Sequence, residues 1–289
     1  MKNIIFLFLV AMLAGCEYEL SPWQTDAHCP GVSVEENLAK MAAFEQSIGK
    51  VDFYQVAIIG DPQQYPGEFE DTIKHVNTLE DVHFILLVGD LAETGVKAEF
   101  EWMCKAMSKS NKPIIPVIGN HDSLSFGKDI WLDVFGPYDF AFTYQGSRYV
   151  AYNDNKYEFE DVPNRDWLAE QAQPVDGVPW DHIIGVSHIP PWDADEGFDE
   201  HLKASGYELT IHGHESSFDH WQWGDVLLQH YITTQNRDPG FGILNVYPNL
   251  PLELDNCTRN CAKSSPRTVI KEDSPVDDAV VTDDQAREA

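Results

Sequence analysis

The sequence predicts an α/β fold, and three observations carry that prediction. Three short apolar runs, at 56–60, 84–89 and 113–119, each stop abruptly in polar side chains: Asp61-Pro62-Gln63, Asp90, and Asn120-His121-Asp122. The strand ends are evenly spaced. Asp61 to Asp90 is 29 residues and Asp90 to Asn120 is 30, the length of one strand–helix–strand unit. Each interval also contains apolar residues at helical spacing. Right-handed crossovers would set these strands parallel and deliver their carboxyl ends to one edge, where open α/β sheets bind ligands.

With 289 residues and 43% hydrophobic content, the chain can build one large domain with a real core. Its first residues are read apart from that domain. Lys2, an apolar run over 4–13 and small residues before Cys16 make a secretory signal, too short to span a bilayer. Leu13-Ala14-Gly15-Cys16 resembles a bacterial lipobox, which implies cleavage before Cys16 and acylation of its thiol. Glu17, rather than Asp, follows the cysteine. That pattern implies a lipoprotein of the bacterial envelope, at the outer membrane and facing the periplasm. The competing reading is an ordinary secreted protein with a chance cysteine. The organisation expected is a signal peptide at 1–15, a lipidated tether and N-terminal helix at 16–50, a domain at 51–262 and an acidic disordered tail at 263–289.

Within the domain, Ser33 with Glu36 three residues on forms a capping-box pattern ahead of a helix to about Ile48. The first strand ends at Asp61. Phe69, Ile73, Val76 and Leu79 mark a helix over 68–79. The second strand ends at Asp90, and Phe100, Met103, Cys104 and Met107 give the buried face of a helix over 97–109. After Asp122, Ile130, Trp131, Val134 and Phe135 mark another helix before Gly136-Pro137. Strands at 140–144 and 148–152 flank Gln145-Gly146-Ser147, a hairpin signal. Asn164 caps a short helix to Gln171. A strand at 182–186 leads to Ser187-His188, a helix covers 198–204, and a strand at 207–211 ends in His212-Gly213-His214. Further strands are expected at 226–233 and 241–247. From about Lys263 the chain turns acidic and poor in apolar residues, the composition of a disordered tail.

The formal charge is −29, and without residues 1–15, which hold only Lys2, 48 acids face 18 bases for −30. A basic nucleic-acid groove is excluded on that balance. A phosphate-bearing substrate would need local positive charge, which bound metal ions supply. Besides Cys16 there are Cys29, Cys104, Cys257 and Cys261. An exported chain permits disulfides, and four cysteines allow three connectivities. Cys257 and Cys261 are close enough to pair locally, which would leave Cys29 with Cys104. The spacing of Cys257 and Cys261 also fits a zinc site, although no other Cys or His lies nearby in sequence to complete it.

Asp61, Gln63, Asp90, Asn120, His121, His188, His212 and His214 all fall at one predicted edge. A single His or Asp there is usually a hydrogen-bonded structural group or a helix cap, but all eight together have the oxygen and imidazole chemistry of a metal centre. In order and context, Gly60-Asp61, Gly89-Asp90, Gly119-Asn120-His121-Asp122, His188 and His212-x-His214 resemble the calcineurin-like metallophosphoesterase superfamily, over roughly residues 52–250. The resemblance implies two packed mixed β-sheets flanked by helices, a four-layer sandwich. It implies hydrolysis of phosphate esters at two divalent ions, with a metal-bridging hydroxide as nucleophile. Asp90 would bridge the ions. Asp61, Gln63 and His214 would complete the first site, and Asn120, His188 and His212 the second. His121 would sit near the scissile phosphate, with Asp122 orienting its ring.

Three departures stand out. Gln63 replaces the histidine usual in the first loop and offers a carbonyl oxygen, which suits harder ions. Glu93 stands where purple acid phosphatases carry a tyrosine, so Mn²⁺ or Mg²⁺ is expected, with Fe²⁺ or Zn²⁺ open. Ser187 and Ile211 stand where glycine is common in the family. Trp192, Trp221 and Trp223 lie beside the motifs; they would stack on a nucleotide-like substrate or, as aromatic residues more often do, pack the sheet rim. Arg237 would grip phosphate bidentately or pair with a nearby acid. The partners expected are a small phosphate ester and, through the lipid, a membrane; the oligomeric state is open. The competing function is a non-catalytic or weakly catalytic envelope-binding lipoprotein on the same fold, a reading that rests on Gln63. The competing fold is a plain doubly wound sheet, which a second sheet after His214 would exclude.

Overall fold

The computed structural model describes residues 24–191, 197–224, 226, 228–233, 240–258 and 260–269. Cys16, Trp192 and Arg237 lie outside them, as do the signal segment and the chain from 270 onward.

Helix α1 (Val34–Ile48) begins where the capping box places it, with Glu36 N donating to Ser33 Oγ at 3.2 Å. The first half then alternates as its spacing predicts: β1 (Tyr54–Ile59), α2 (Pro66–Val76), β2 (Val82–Val88), α3 (Lys97–Met107), β3 (Ile114–Val117) and α4 (Gly127–Val134). A hairpin of β4 (Phe140–Tyr144) and β5 (Ser147–Ala151) follows, then α5 (Arg165–Gln171), β6 (Ile183–Val186), α6 (Phe198–Ser205) and β7 (Leu209–His212). The chain continues through β8 (Asp219–Trp223), β9 (Gln229–Ile232), β10 (Phe241–Val246), β11 (Glu253–Cys257), β12 (Cys261–Ser264) and β13 (Arg267–Val269).

These strands form two mixed sheets. One runs β12-β11-β10-β1-β2-β3 and the other β13-β8-β9-β7-β6-β5-β4. The doubly wound alternative is thereby excluded. Strand alternation divides the apolar runs between two cores. Val56, Ile58, Phe84, Leu86 and Val88 point between the sheets, against Tyr149, Val186 and Ile211. Ala57, Ile59, Ile85 and Leu87 point outward, against Phe69, Ile73, Phe100 and Trp131 of the helices. On the far side, Val150 and Tyr152 pack under Leu168 and Leu202. The layers are therefore helix, sheet, sheet, helix.

Helix α1 covers the end of the first sheet: buried Asn37 accepts the Ile114 N–H of edge strand β3 at 3.1 Å, which removes an open edge. Both disulfides form, Cys29–Cys104 and Cys257–Cys261. The first fixes the segment before α1 to α3, and the second closes the β11–β12 hairpin.

Two expectations change here. Strands β12 and β13 carry ordered structure past residue 262, where the tail was expected to begin. Strand β8 was not anticipated, and it buries Trp221 and Trp223 at 1% and 5% exposure. Those two indoles pack the sheet and are not available to stack on a substrate.

Candidate metal centre

Strand register brings the polar strand ends level. Ile59 lies opposite Leu87, Val88 opposite Val117, and Val186 opposite Ile211. Each chain leaves its strand through a tight turn. Asp61 and Asp90 sit at φ of 54° and 55°, a left-handed conformation that Asp tolerates better than most residues. Gly89 precedes Asp90 at φ 85°, and a Cβ there would overlap the His188 ring. Gly119 is confined in the same way by the Asp90 carboxylate.

Four side chains converge. Asn120 Oδ1 lies 3.1 Å from His188 Nε2 and 3.2 Å from His214 Nδ1. The two imidazole nitrogens are 3.3 Å apart, and Asp90 Oδ1 is 3.3 Å from His188 Nε2. His188 Nδ1 faces the Val88 carbonyl at 2.8 Å. A proton there leaves the Nε2 lone pair turned toward two oxygens, an arrangement that calls for a cation. The charge balance agrees. Burial works against a charged His188, yet the Asp90 and Asp61 carboxylates and the Val88 carbonyl push its pKa up to about 10. For Asp90, the ionised state that metal ligation requires is favoured: burial raises its pKa, but His188 and His121 outweigh burial and lower it. Asp61 supplies a further acceptor. Its Oδ1 takes the His214 N–H at 2.9 Å, and its Oδ2 is buried with no hydrogen-bond partner. The Gln63 amide fits best with its nitrogen donating to the Asp90 and Asp61 carbonyls, at 2.7 and 3.0 Å. That orientation turns its oxygen toward the Asp90 carboxylate. These residues fit a divalent metal ion: buried oxygens and imidazole nitrogens point inward with too few protons to share.

Three expected roles change. His212 is fully buried and faces away from the cluster. Ser187 Oγ lies 2.9 Å from its Nδ1 and Thr210 Oγ1 2.7 Å from its Nε2, so no lone pair remains for a metal. Burial and the nearby His188 charge push its pKa down to about 3. His214 joins Asn120 and His188 instead of completing the Asp61 and Gln63 side. Asp122 does not orient His121; its carboxylate accepts the Ala92 N–H at 2.7 Å and the Gly119 N–H at 2.9 Å. The His121 ring is held instead through Nδ1 by the Glu93 carbonyl at 2.8 Å, while its backbone N–H binds Asp90 Oδ1 at 3.0 Å.

Asp154 is a residue that the sequence reading missed. Its Oδ1 accepts the backbone N–H groups of His188 and Ile189, at 3.3 and 3.1 Å, and fixes the loop carrying that ligand. Asn155 beside it donates to the Ile118 carbonyl at 3.0 Å, under the Asn120 turn. The signal was present as Asn153-Asp154-Asn155 after β5, another strand ending in polar residues.

A family model described as calcineurin-like phosphoesterase matches residues 54–218. No curated protein sequence matches the chain. Among solved structures, the purple acid phosphatase PPD1 of yellow lupin (Lupinus luteus) aligns with a TM-score of 0.57 at 13% identity, over 73% of this chain and 52% of that one. This chain thus spans about half the length of the lupin enzyme. GAP50, described as the anchor in the inner membrane complex of Plasmodium, aligns with a TM-score of 0.57 at 14% identity, over 78% of this chain and 93% of that one. PhoD aligns with a TM-score of 0.51 at 10% identity, over 76% and 73%. At such identities the likeness is one of fold.

Proposed function

The chain belongs to the calcineurin-like phosphoesterase family, and on that premise we propose that it is a metal-dependent enzyme that hydrolyses small phosphate esters at a two-ion centre, as a lipoprotein anchored through Cys16 on the periplasmic side of the outer membrane. The observation that carries the catalytic part is the meeting of Asp90, Asn120, His188 and His214 at one sheet edge. Divalent ions held there would supply Lewis-acid charge for the phosphoryl oxygens and would lower the pKa of a water.

The chain's own groups do the rest. Asp90 neutralises cation charge, and Asp61 and Gln63 add oxygen donors beside it. His121 stands at the rim of the cluster, half exposed. With Nδ1 donating to the Glu93 carbonyl, its Nε2 is left to hydrogen-bond a phosphoryl or leaving-group oxygen. Asp154 and Asp122 hold the two ligand-bearing loops. With a net charge of −29 the protein surface does not attract an anionic substrate, so the positive charge for it would have to come from ions held by Asp90, Asn120, His188 and His214.

Support for the anchor comes from the sequence around Cys16, and the Cys29–Cys104 bond fits an exported chain. Among the described residues no helix is long and apolar enough to cross a membrane. Mn²⁺ or Mg²⁺ suits the oxygen-rich side, and Zn²⁺ or Fe²⁺ the imidazoles.

The deciding experiment compares wild type with Asp90→Ala, each stripped of metal and reloaded with Mn²⁺ or Zn²⁺, on an aryl phosphate monoester and the matching diester. The variant is expected to lose at least about 10²-fold in rate while keeping its far-UV circular dichroism. Equal rates would remove the catalytic role of this edge, and the preference between the two esters sets the substrate class.

A further inference from the structure

Resting on the metal-dependent reading above, we infer that the centre has two unequal halves and that His212 belongs to neither. Asp90, Asn120, His188 and His214 form a nitrogen-containing pocket that takes the first ion. Asp61, Gln63 and the second oxygen of Asp90 form an oxygen-only half that takes a harder ion more weakly.

Distances between ligand atoms carry the first half. The four measured edges, Asn120 Oδ1 to each imidazole, imidazole to imidazole, and Asp90 Oδ1 to His188 Nε2, run from 3.1 to 3.3 Å. Donors around one ion at bond lengths of about 2.0–2.2 Å are separated by edges of this size. Asn120 Oδ1 and the two imidazole nitrogens close a triangle, and Asp90 Oδ1 stands beside its His188 corner, within 4.8 Å of the His214 ligand atom. The pocket is also oriented in advance, since the Val88 carbonyl holds His188 Nδ1 and Asp154 holds the backbone of the same residue.

The other half is chemically different. Asp61 brings one buried, unmatched oxygen, and Gln63 brings an amide oxygen where an imidazole would have bound more strongly. The ring nitrogens of His212 are engaged by Ser187 and Thr210, and His214 Nδ1 lies with Asn120 and His188. Oxygen-only donors favour Mg²⁺ or Mn²⁺, and two imidazoles with two oxygens favour Zn²⁺ or Fe²⁺.

His212 is kept out by its surroundings. Its two ring nitrogens link Ser187 Oγ to Thr210 Oγ1, and Thr210 Oγ1 also lies 2.6 Å from His230 Nδ1. All four residues are buried, at 0% exposure. Turning His212 toward the ions would break both of these buried hydrogen bonds, so the hydrogen-bonded chain holds it in place.

The test uses the metal-stripped full-length chain in detergent, titrated with Zn²⁺ and then with Mn²⁺. It is followed by elemental analysis after dialysis and by imidazole proton–nitrogen correlation spectra. The first equivalent of Zn²⁺ is expected to shift the ring nitrogens of His188 and His214 and leave those of His212 in place. The second ion should bind at least about tenfold more weakly. His214→Ala should lose the first equivalent, Asp61→Asn only the second, and His212→Gln neither. Movement of the His212 ring nitrogens with the first equivalent, or two ions of equal affinity, would overturn the inference while leaving the phosphoesterase reading intact. A folded chain that takes up no divalent ion would overturn both. The spectra report on the wild-type chain, so the inference stays testable even if a variant fails to fold.

Discussion

The Asp122 carboxylate is fully buried and spans two loops, accepting one N–H from Ala92 and another from Gly119. Burial, with Asp90 nearby, pushes its pKa up to about 7. Its position in the Asn-His-Asp run suggests a partner for His121, but the short helical turn over His121–Ser123 points the two side chains in different directions. Asp122→Ala leaves two buried N–H groups without an acceptor and should cost about 3 kcal/mol in urea unfolding. Activity should fall with it, because Gly119 positions Asn120. Gly89, Asp61 and Asp90 show why the glycine and aspartate types were legible: each stands at a left-handed turn where few other residues fit. Which of two histidines reaches the ions was not legible, since His212 and His214 differ by two positions and a strand turns both to the same face until the turn at His214, φ 70°, intervenes.

At the scale of elements, β1, β2 and β3 end level in one sheet and β6 and β7 in the other, and their loops meet where Asn120 and Asp90 face His188. The opposite edge needs its own ties between the sheets, and His182 provides one. Just before β6, its Nδ1 lies 3.0 Å from Glu208 and its Nε2 2.9 Å from the Tyr247 carbonyl, past the end of β10 in the other sheet. Burial alone would lower the His182 pKa, but these two acceptors raise it overall. A raised folded value means that the stabilisation is fully present below the unfolded value of about 6.5 and fades as pH rises through the folded value. His182→Gln should therefore lower stability by about 1 kcal/mol at pH 6, a figure discounted for the half-exposed Glu208, and by less at pH 8. Equal losses at both pH values in denaturant melts would show that the charge contributes nothing. The helices and the first three strands were readable from periodicity. Strand β8 was not: His220, Trp221 and Trp223 carry no turn signal that separates them from a loop, and pairing with β9 and β13 makes the strand.

For the whole molecule, the proposed lipid at Cys16 lies 13 residues before Cys29, which the disulfide bonds to α3. The domain would thus be held near the bilayer by a short, covalently fixed lead. Cys16→Ser should move the protein from the membrane to the soluble fraction of fractionated cells. Retention on membranes would count against the anchor. Replacing Cys29 and Cys104 together with Ser should cost about 2–4 kcal/mol, because that bond closes a span of 75 residues in the unfolded chain. The Cys257–Cys261 bond spans only 4 and should cost less on removal, a ranking that paired chemical melts would check.

By itself the sequence determined the strand–helix units, the common edge and the residue types gathered there. These are local matters: periodicity sets the element, and a glycine or aspartate sets the turn within a few residues of it. Tertiary structure alone decided the pairing of β10 with β1, the retirement of His212 into a hydroxyl chain and the use of Asp154 behind His188. Each depends on groups 20 or more residues apart meeting in space, Ser187 with His212 and Asp154 with His188 among them. Hydrogen bonds of that kind form only once the strands carrying them have paired, so a local window such as Asn153-Asp154-Asn155 shows a polar strand end and not the partner it takes.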